Sequence, residues 1–340
     1  MGLKASIGVI SSKLRLLMLL KNVCQNNKLE NLNLGNMDKT SKSKQIKDFT
    51  EKCRKLQGRF REEIYQTMGI GPSGKPQINM ITNGEKTGKN FVNDFAFQYA
   101  KYRVEHKEKN ETFGVDRLFN NLLSSQPMAF NLFCPFIEML DKGKMKEVSS
   151  IFQAIFPDKG IKEVVEVGLE FLHADIKNYL NDKTAIDVII RYIDNDGKRS
   201  FIAIETKYTD VLGANSPSNT KLHKEWIKRL GVFREESEEL LLNDEKPISQ
   251  IYRNFLLSEC YGIMEGANKY YSVVLSPAHH PTTEEEVDSL KNELKPEYKN
   301  KISSISLEDF VEQTMKRCPQ SELAVFYYFY NRYLDFSKIE

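Results

Sequence analysis

Residues 185–208 constrain this chain more than any other stretch, because two β-rich runs flank a connector that suits one kind of turn. Asp194-Asn195-Asp196-Gly197-Lys198 fits a three-residue hairpin loop, with a type I turn over Asn195-Asp196 and Gly197 in the left-handed region. With Asp194 and Lys198 as the closing pair, counting outward in antiparallel register sets Asp187 directly opposite Glu205. Lys207 falls on the same face, one diagonal step away, because strand side chains alternate with period two. The other face carries Ile186, Val188, Ile190 and Tyr192 against Ile202 and Ile204, a coherent apolar surface. Opposed residues have Cβ atoms about 4.5–5.5 Å apart, so both carboxylates are within reach of one divalent cation.

Two acids and a lysine so placed can hydrolyse a phosphodiester. The cation they hold polarises a phosphoryl oxygen and acidifies water, while the ammonium orients that water and offsets developing negative charge. An oxygen-only ligand set suits Mg²⁺ or Mn²⁺ better than zinc. The bland alternative is a cross-strand salt bridge on a solvated face. Against it stands Phe201-Ile202-Ala203-Ile204, a nearly continuous apolar run that predicts a central strand buried on both sides. Charges at the end of such a strand are costly unless they bind something.

The pattern Ile186-Asp187 followed by Glu205-Thr206-Lys207 resembles the PD-(D/E)XK nuclease superfamily, with Ile in the loosely kept proline position. More closely, the chain is similar to a bacterial family of restriction-type endonucleases. The stretches Leu122-Leu123-Ser124-Ser125-Gln126-Pro127-Met128-Ala129-Phe130-Asn131-Leu132-Phe133, Ile204-Glu205-Thr206-Lys207-Tyr208 and Gln250-Ile251-Tyr252-Arg253-Asn254 carry the likeness, over about residues 45–335. It implies an α/β, restriction-endonuclease-like core, a mixed sheet flanked by helices, and cleavage of DNA with Mg²⁺, for which Mn²⁺ substitutes. By position Asp187 and Glu205 are the implied metal ligands, Lys207 the catalytic lysine and Gln250 a site-facing residue of the next helix. Glu170, in the adjacent strand, is a candidate third ligand or an ordinary surface glutamate. Arg253 and Asn254 share a helix face with Gln250 and line the site or form a plain polar face. Ser124, Ser125, Gln126 and Asn131 line a substrate groove or cap a buried helix turn. Restriction-type enzymes commonly pair as homodimers, because a palindrome mirrors a two-fold axis; these residues do not decide it. A protein that binds nucleic acid without cutting, and a repair or recombination nuclease, are the competing readings.

The rest of the chain divides by composition and period. Residues 1–44 read as a disordered or N-terminal extension, rich in Asn, Lys and Ser from 21 onward, with Met37 a plausible start. Residues 45–157 read as a helical part packed on the core, with helices over 46–68, 91–104, 115–140 (interrupted near Pro127) and 148–156. Residues 158–340 read as the nuclease core, with strands over 163–172, 185–193, 200–208 and 270–275. Helices over 221–243, 248–261, 307–316 and 321–334 accompany them, Pro247 fitting a first turn. Residues 69–90 read as a connector.

Five scattered cysteines without CxxC spacing argue against a disulfide framework or structural zinc, and for a reducing, cytoplasmic setting. The apolar run at 14–20 is too short for a bilayer, so no membrane role is expected. A net charge of +2 neither demands nor excludes nucleic acid; the basic stretch 39–61 contacts phosphate or forms a solvated face. Gly69-Ile70-Gly71-Pro72-Ser73-Gly74-Lys75 matches a P-loop for seven positions and then fails at Pro76, so no nucleotide cofactor is expected. His173 and His223 read as packing or surface residues before general bases, and Tyr327-Tyr328-Phe329-Tyr330 as a buried helix face before a base-stacking platform.

Overall fold

The computed structural model describes residues 39–107, 111, 113–173, 176–181, 184–211, 221–245 and 248–340. The helices are α1 (Lys39–Glu63), α2 (Gly84–Thr87), α3 (Asp94–Glu105), α4 (Val115–Asn120), α5 (Ser125–Asp141), α6 (Met145–Ile155), α7 (Lys221–Leu230), α8 (Glu235–Leu242), α9 (Gln250–Met264), α10 (Thr283–Glu293), α11 (Leu307–Arg317) and α12 (Leu323–Tyr333). The strands are β1 (Met68–Ile70), β2 (Pro76–Ile81), β3 (Ile161–Phe171), β4 (Ile186–Asp194), β5 (Arg199–Thr206), β6 (Tyr270–Ser276) and β7 (Ile302–Ser306).

One five-stranded sheet runs in the order β3-β4-β5-β6-β7. Pairing is antiparallel from β3 to β5 and parallel from β5 to β7. The β4–β5 hairpin has the anticipated register, from Ile193 opposite Arg199 to Val188 opposite Ile204. The pairing ends there, one step short of Asp187 and Glu205, and Asp187 instead bonds Thr206. Gly197 has φ +73°, and its N–H donates to the Asp194 carbonyl at 2.9 Å. The Asp194 carboxylate locks the turn by accepting from Asp196 N, Lys198 N, Ser200 Oγ and Asn268 Nδ2. A turn held at this many points leaves no freedom for the one-residue slip that would invert the strand faces.

Both sides of the sheet are covered, as an apolar β5 requires. Val188, Ile190, Tyr192, Ile202, Ile204, Val273 and Leu275 join a core that includes Phe133, Phe136, Phe152, Phe310 and Phe326 from α5, α6, α11 and α12. Ile189, Phe201, Ala203 and Val274 join a second core with Trp226, Ile251, Phe255 and Leu290 from α7, α9 and α10. Every residue of β5 after Arg199 is buried. Ile186 departs from the expected face and packs in the second core. It opens its strand with Phe171 as a partner and none on β5, so that pairing does not fix its face.

Several elements were invisible to periodicity. Residues 69–90 are no connector: they contain the β1–β2 hairpin, a two-stranded sheet docked on α1. The P-loop-like segment forms its tip, where Gly71 N donates to Lys75 O at 2.8 Å, and no helix N-terminus follows to receive a phosphate. The break near Pro127 falls instead at residues 121–124: Ser124 caps α5, and Pro127 sits in its first turn, where a missing N–H costs nothing. Helix 221–243 is two helices, separated around Gly231 at φ +57°. α10 and β7 were not anticipated. The helix α1 begins at Lys39, earlier than the boundary drawn at 45; residues 1–38 and Pro247 lie outside the described residues. Cys53, Cys134, Cys260 and Cys318 are buried. No helix among the described residues is long and apolar enough to cross a membrane.

Candidate active site

The site lies where β4 begins and β5 ends, beside the first turns of α5 and α9. β5 brings Glu205 and Lys207 there at 7% and 4% exposure, on the face it shares with Phe201 and Ala203. A buried carboxylate and a buried ammonium each need a partner, and they find one another at 2.7 Å. Gln250, the first residue of α9, bridges them: its Nε2 donates to Glu205 Oε1 at 2.9 Å and its Oε1 accepts from Lys207 Nζ at 3.0 Å. One helical turn on, Asn254 Nδ2 donates to Glu205 Oε2 at 2.5 Å. The Oδ1 of Asn254 is buried with no hydrogen bond to any described residue.

Asp187, half-buried, is oriented from β5. Its Oδ2 accepts from Thr206 N at 2.8 Å and from Thr206 Oγ1 at 3.0 Å. Thr206 therefore aims the acid while its neighbours Glu205 and Lys207 supply the others. Glu170, next to last in β3, has φ +50°, a left-handed conformation that costs a non-glycine residue about 1–3 kcal/mol. Arg103 of α3 holds it there, donating to the carbonyls of Leu169 and Glu170 while paired with Glu111 at 2.7 Å. Gln126 Nε2 donates to Glu170 Oε1 at 2.9 Å.

Electrostatics bind the three acids into one unit. Burial, then the Asp187 charge, pushes Glu170 up to about 8. Burial, then Asp187 again, pushes Glu205 up to about 7, although Lys207 opposes this. Burial also raises Asp187, against the pull of Lys207 and the Thr206 hydrogen bonds. Burial depresses Lys207, but the Glu205 and Asp187 charges more than reverse it, so the ammonium stays charged. Asp187 and Glu205 thus face one buried ammonium with Glu170 close by, and a divalent cation would favour the ionised form of all three acids. Among the described residues no three His, Cys, Asp or Glu side chains already stand in metal-holding geometry. The acids, with the vacant acceptor of Asn254, nevertheless form an oxygen-rich donor set that fits a hard cation and the water it carries.

The remaining candidates separate. Gln126 and Ser125 reach the site, Ser125 Oγ donating to Asp210 Oδ2 at 3.3 Å. Asn131 does not line a groove. It is fully buried and joins Val92 N, Asn90 O and Tyr333 OH, so its place in the distinctive 122–133 stretch is structural. Arg253 turns to Thr184 Oγ1, just ahead of β4. His173 packs against Tyr179, with ring centroids 4.5 Å apart. Phe329 and Tyr330 are buried, as a packed helix face requires, while Tyr327 and Tyr328 stay partly exposed. Several bases of the 39–61 stretch pair with acids: Lys42 with Glu285, Arg54 with Glu51, Arg59 with Glu63 and Arg61 with Glu62.

Sequence reasoning missed Arg103, Arg117 and Asp210. The spacing of Asp210 three residues after Lys207 was a weak signal, whereas Arg103 and Arg117 gave none, because helical arginines are common. His280 was also passed over. It is buried, packs on Phe49, bonds Thr283 Oγ1 at 2.8 Å, and its Nε2 lies 3.2 Å from the Asp210 carbonyl oxygen.

Comparison with curated proteins and with solved structures gave no match. A family model described as the PD-(D/E)XK nuclease superfamily matches residues 42–335, nearly the whole chain. The mixed sheet with its β4–β5 hairpin, and the acidic and basic residues gathered at the hairpin's open end, agree with that match: the chain belongs to the PD-(D/E)XK nuclease superfamily.

Proposed function

We propose that the protein is an Mg²⁺-dependent DNA endonuclease of restriction or defence type, with Mn²⁺ able to replace Mg²⁺. The observation that carries this reading is the closed set of bonds among Glu205, Lys207 and Gln250 beside Asp187. Asp187 and Glu205 would hold the cation, with Glu170 as the third carboxylate. When bound, the cation polarises a phosphoryl oxygen and makes the attacking water more acidic. Lys207, charged in this setting, orients that water by donating to it and offsets negative charge developing on the phosphoryl group. Gln250 fixes the ammonium in place through its carbonyl and the carboxylate through its amide. Thr206 holds Asp187 in one rotamer, so the acids are set before the substrate arrives. DNA as substrate and a defence role rest on the sequence likeness to restriction-type enzymes.

The test is incubation of the purified protein with supercoiled and linear DNA in Mg²⁺ or Mn²⁺, with and without EDTA. Wild type should cut in either metal and stop in EDTA. Lys207→Ala should cut at least about 100-fold more slowly while keeping its folded circular dichroism spectrum. A wild type that binds DNA tightly but cuts nothing with any metal would make the protein a binder on a nuclease fold. Preferential cutting of branched or single-stranded DNA would point instead to repair.

A further inference from the structure

At the rim of the site, Arg117 and Asp210 form an ion pair that is poorly made. Arg117 Nη2 lies 3.9 Å from Asp210 Oδ2, and the two side chains keep 58% and 52% of their exposure. An exposed pair of this kind contributes little to stability, so exchanging its partner costs little. Both groups are nonetheless positioned. Arg117 Nε donates to Ser124 Oγ at 3.3 Å, at the cap of α5. Asp210 accepts from Ser125 Oγ, and His280 sits on its backbone carbonyl. The pair therefore stands between the α5 N-terminus, where Gln126 reaches Glu170, and the end of β5, three residues past Lys207. The electrostatics agree with this placement: Arg117 is among the charges that lower Asp187, and Asp210 among those that raise Glu205 and Lys207.

A guanidinium half open to solvent, loosely paired with Asp210 and near enough to Asp187 to lower it, matches a backbone phosphate in charge and in its planar pair of donors. We propose that Arg117 is a phosphate-binding residue at the mouth of the site, resting on Asp210 in the free protein and moving to a backbone phosphate of bound nucleic acid. The inference rests on the reading of the substrate as DNA. Asp210 then has two effects. It keeps the guanidinium from folding onto the acids, and it competes with the substrate for it.

The test is binding of a fluorescein-labelled duplex in EDTA, without cleavage, over a range of KCl concentrations. One lost phosphate contact lowers the slope of log affinity against log salt by about 0.9. Arg117→Gln should show that drop and bind about 3- to 10-fold more weakly, whereas Arg117→Lys should keep the slope. Asp210→Asn should tighten binding about 3-fold in the wild-type background and much less in the Arg117→Gln background. Melting curves should hardly move, since the exposed pair contributes little. An unchanged slope in Arg117→Gln, or an equal gain from Asp210→Asn in both backgrounds, would reduce the pair to an ordinary surface contact and overturn the proposal. A wild type that binds no duplex at any salt would overturn the reading beneath it, and Arg117 with it.

Discussion

Glu170 shows what the site costs the protein without a cation. Its carboxyl titrates near 8 in the folded chain against 4.5 as an ordinary glutamate, so the folded state binds the extra proton between those values. Stability from this group is therefore fully present below about pH 4.5 and is lost as pH rises through about 8. Asp187 and Glu205 face it with charge of the same sign, Arg103 with the opposite one, while Gln126 donates to its carboxylate. Glu170→Gln keeps an acceptor for Gln126 and removes the titration. Cation-free wild type should lose several degrees of melting temperature between pH 5.5 and 8.5, and Glu170→Gln clearly less, read by thermal unfolding in EDTA. Added Mg²⁺ should raise the wild-type midpoint more at pH 8.5 than at 5.5. Gln250 offers a second residue-level check: Gln250→Ala removes one bond from each of Lys207 and Glu205, and should slow cleavage about 10- to 100-fold with little change in DNA affinity. The grouping of Asp187, Glu205 and Lys207 could be read from the chain because spacing and turn chemistry determine a hairpin register, whereas Gln250, on a later helix, came only from the family likeness. Arg103 and Arg117 could not, since they approach the site from helices far away in sequence.

Among the elements, legibility followed the strength of the local pattern. β4 and β5 announce themselves through β-branched runs and a defined turn. β7 holds only Ile302 and Ile305 among serines and is a strand because β6 pairs with it in parallel, from Ser272 with Ile302 to Ser276 with Ser306. α10 carries Glu284, Glu285 and Glu286 in its first turn, where the helix dipole favours them, and only Val287 and Leu290 as buried anchors of its apolar stripe. The β1–β2 hairpin hid behind glycines that read as a loop. Packing between elements was equally invisible. Gly262 of α9 lies against the Tyr270 ring of β6, and a Cβ built there would stand 2.5 Å from ring carbons. Gly262→Ala should therefore destabilise the protein by about 1–3 kcal/mol through overpacking, seen as a lower urea midpoint. An unchanged midpoint would mean that the helix has room to shift.

On the scale of the whole molecule, two cores hold one sheet from opposite sides, and the acids gather at the end of the strand that both cores share. That arrangement explains why the doubly apolar run 201–204 was informative: a strand so enclosed reaches solvent only at its ends, and its end is the site. The claim on which the account rests is that Asp187 and Glu205 jointly hold a divalent cation beside Lys207. The most direct measurement is the anomalous difference map of a crystal soaked in Mn²⁺. The account predicts a single strong peak about 2.0–2.3 Å from carboxylate oxygens of both Asp187 and Glu205, lost in an Asp187→Asn crystal. A peak elsewhere, or none at saturating Mn²⁺ with both side chains ordered, would contradict it.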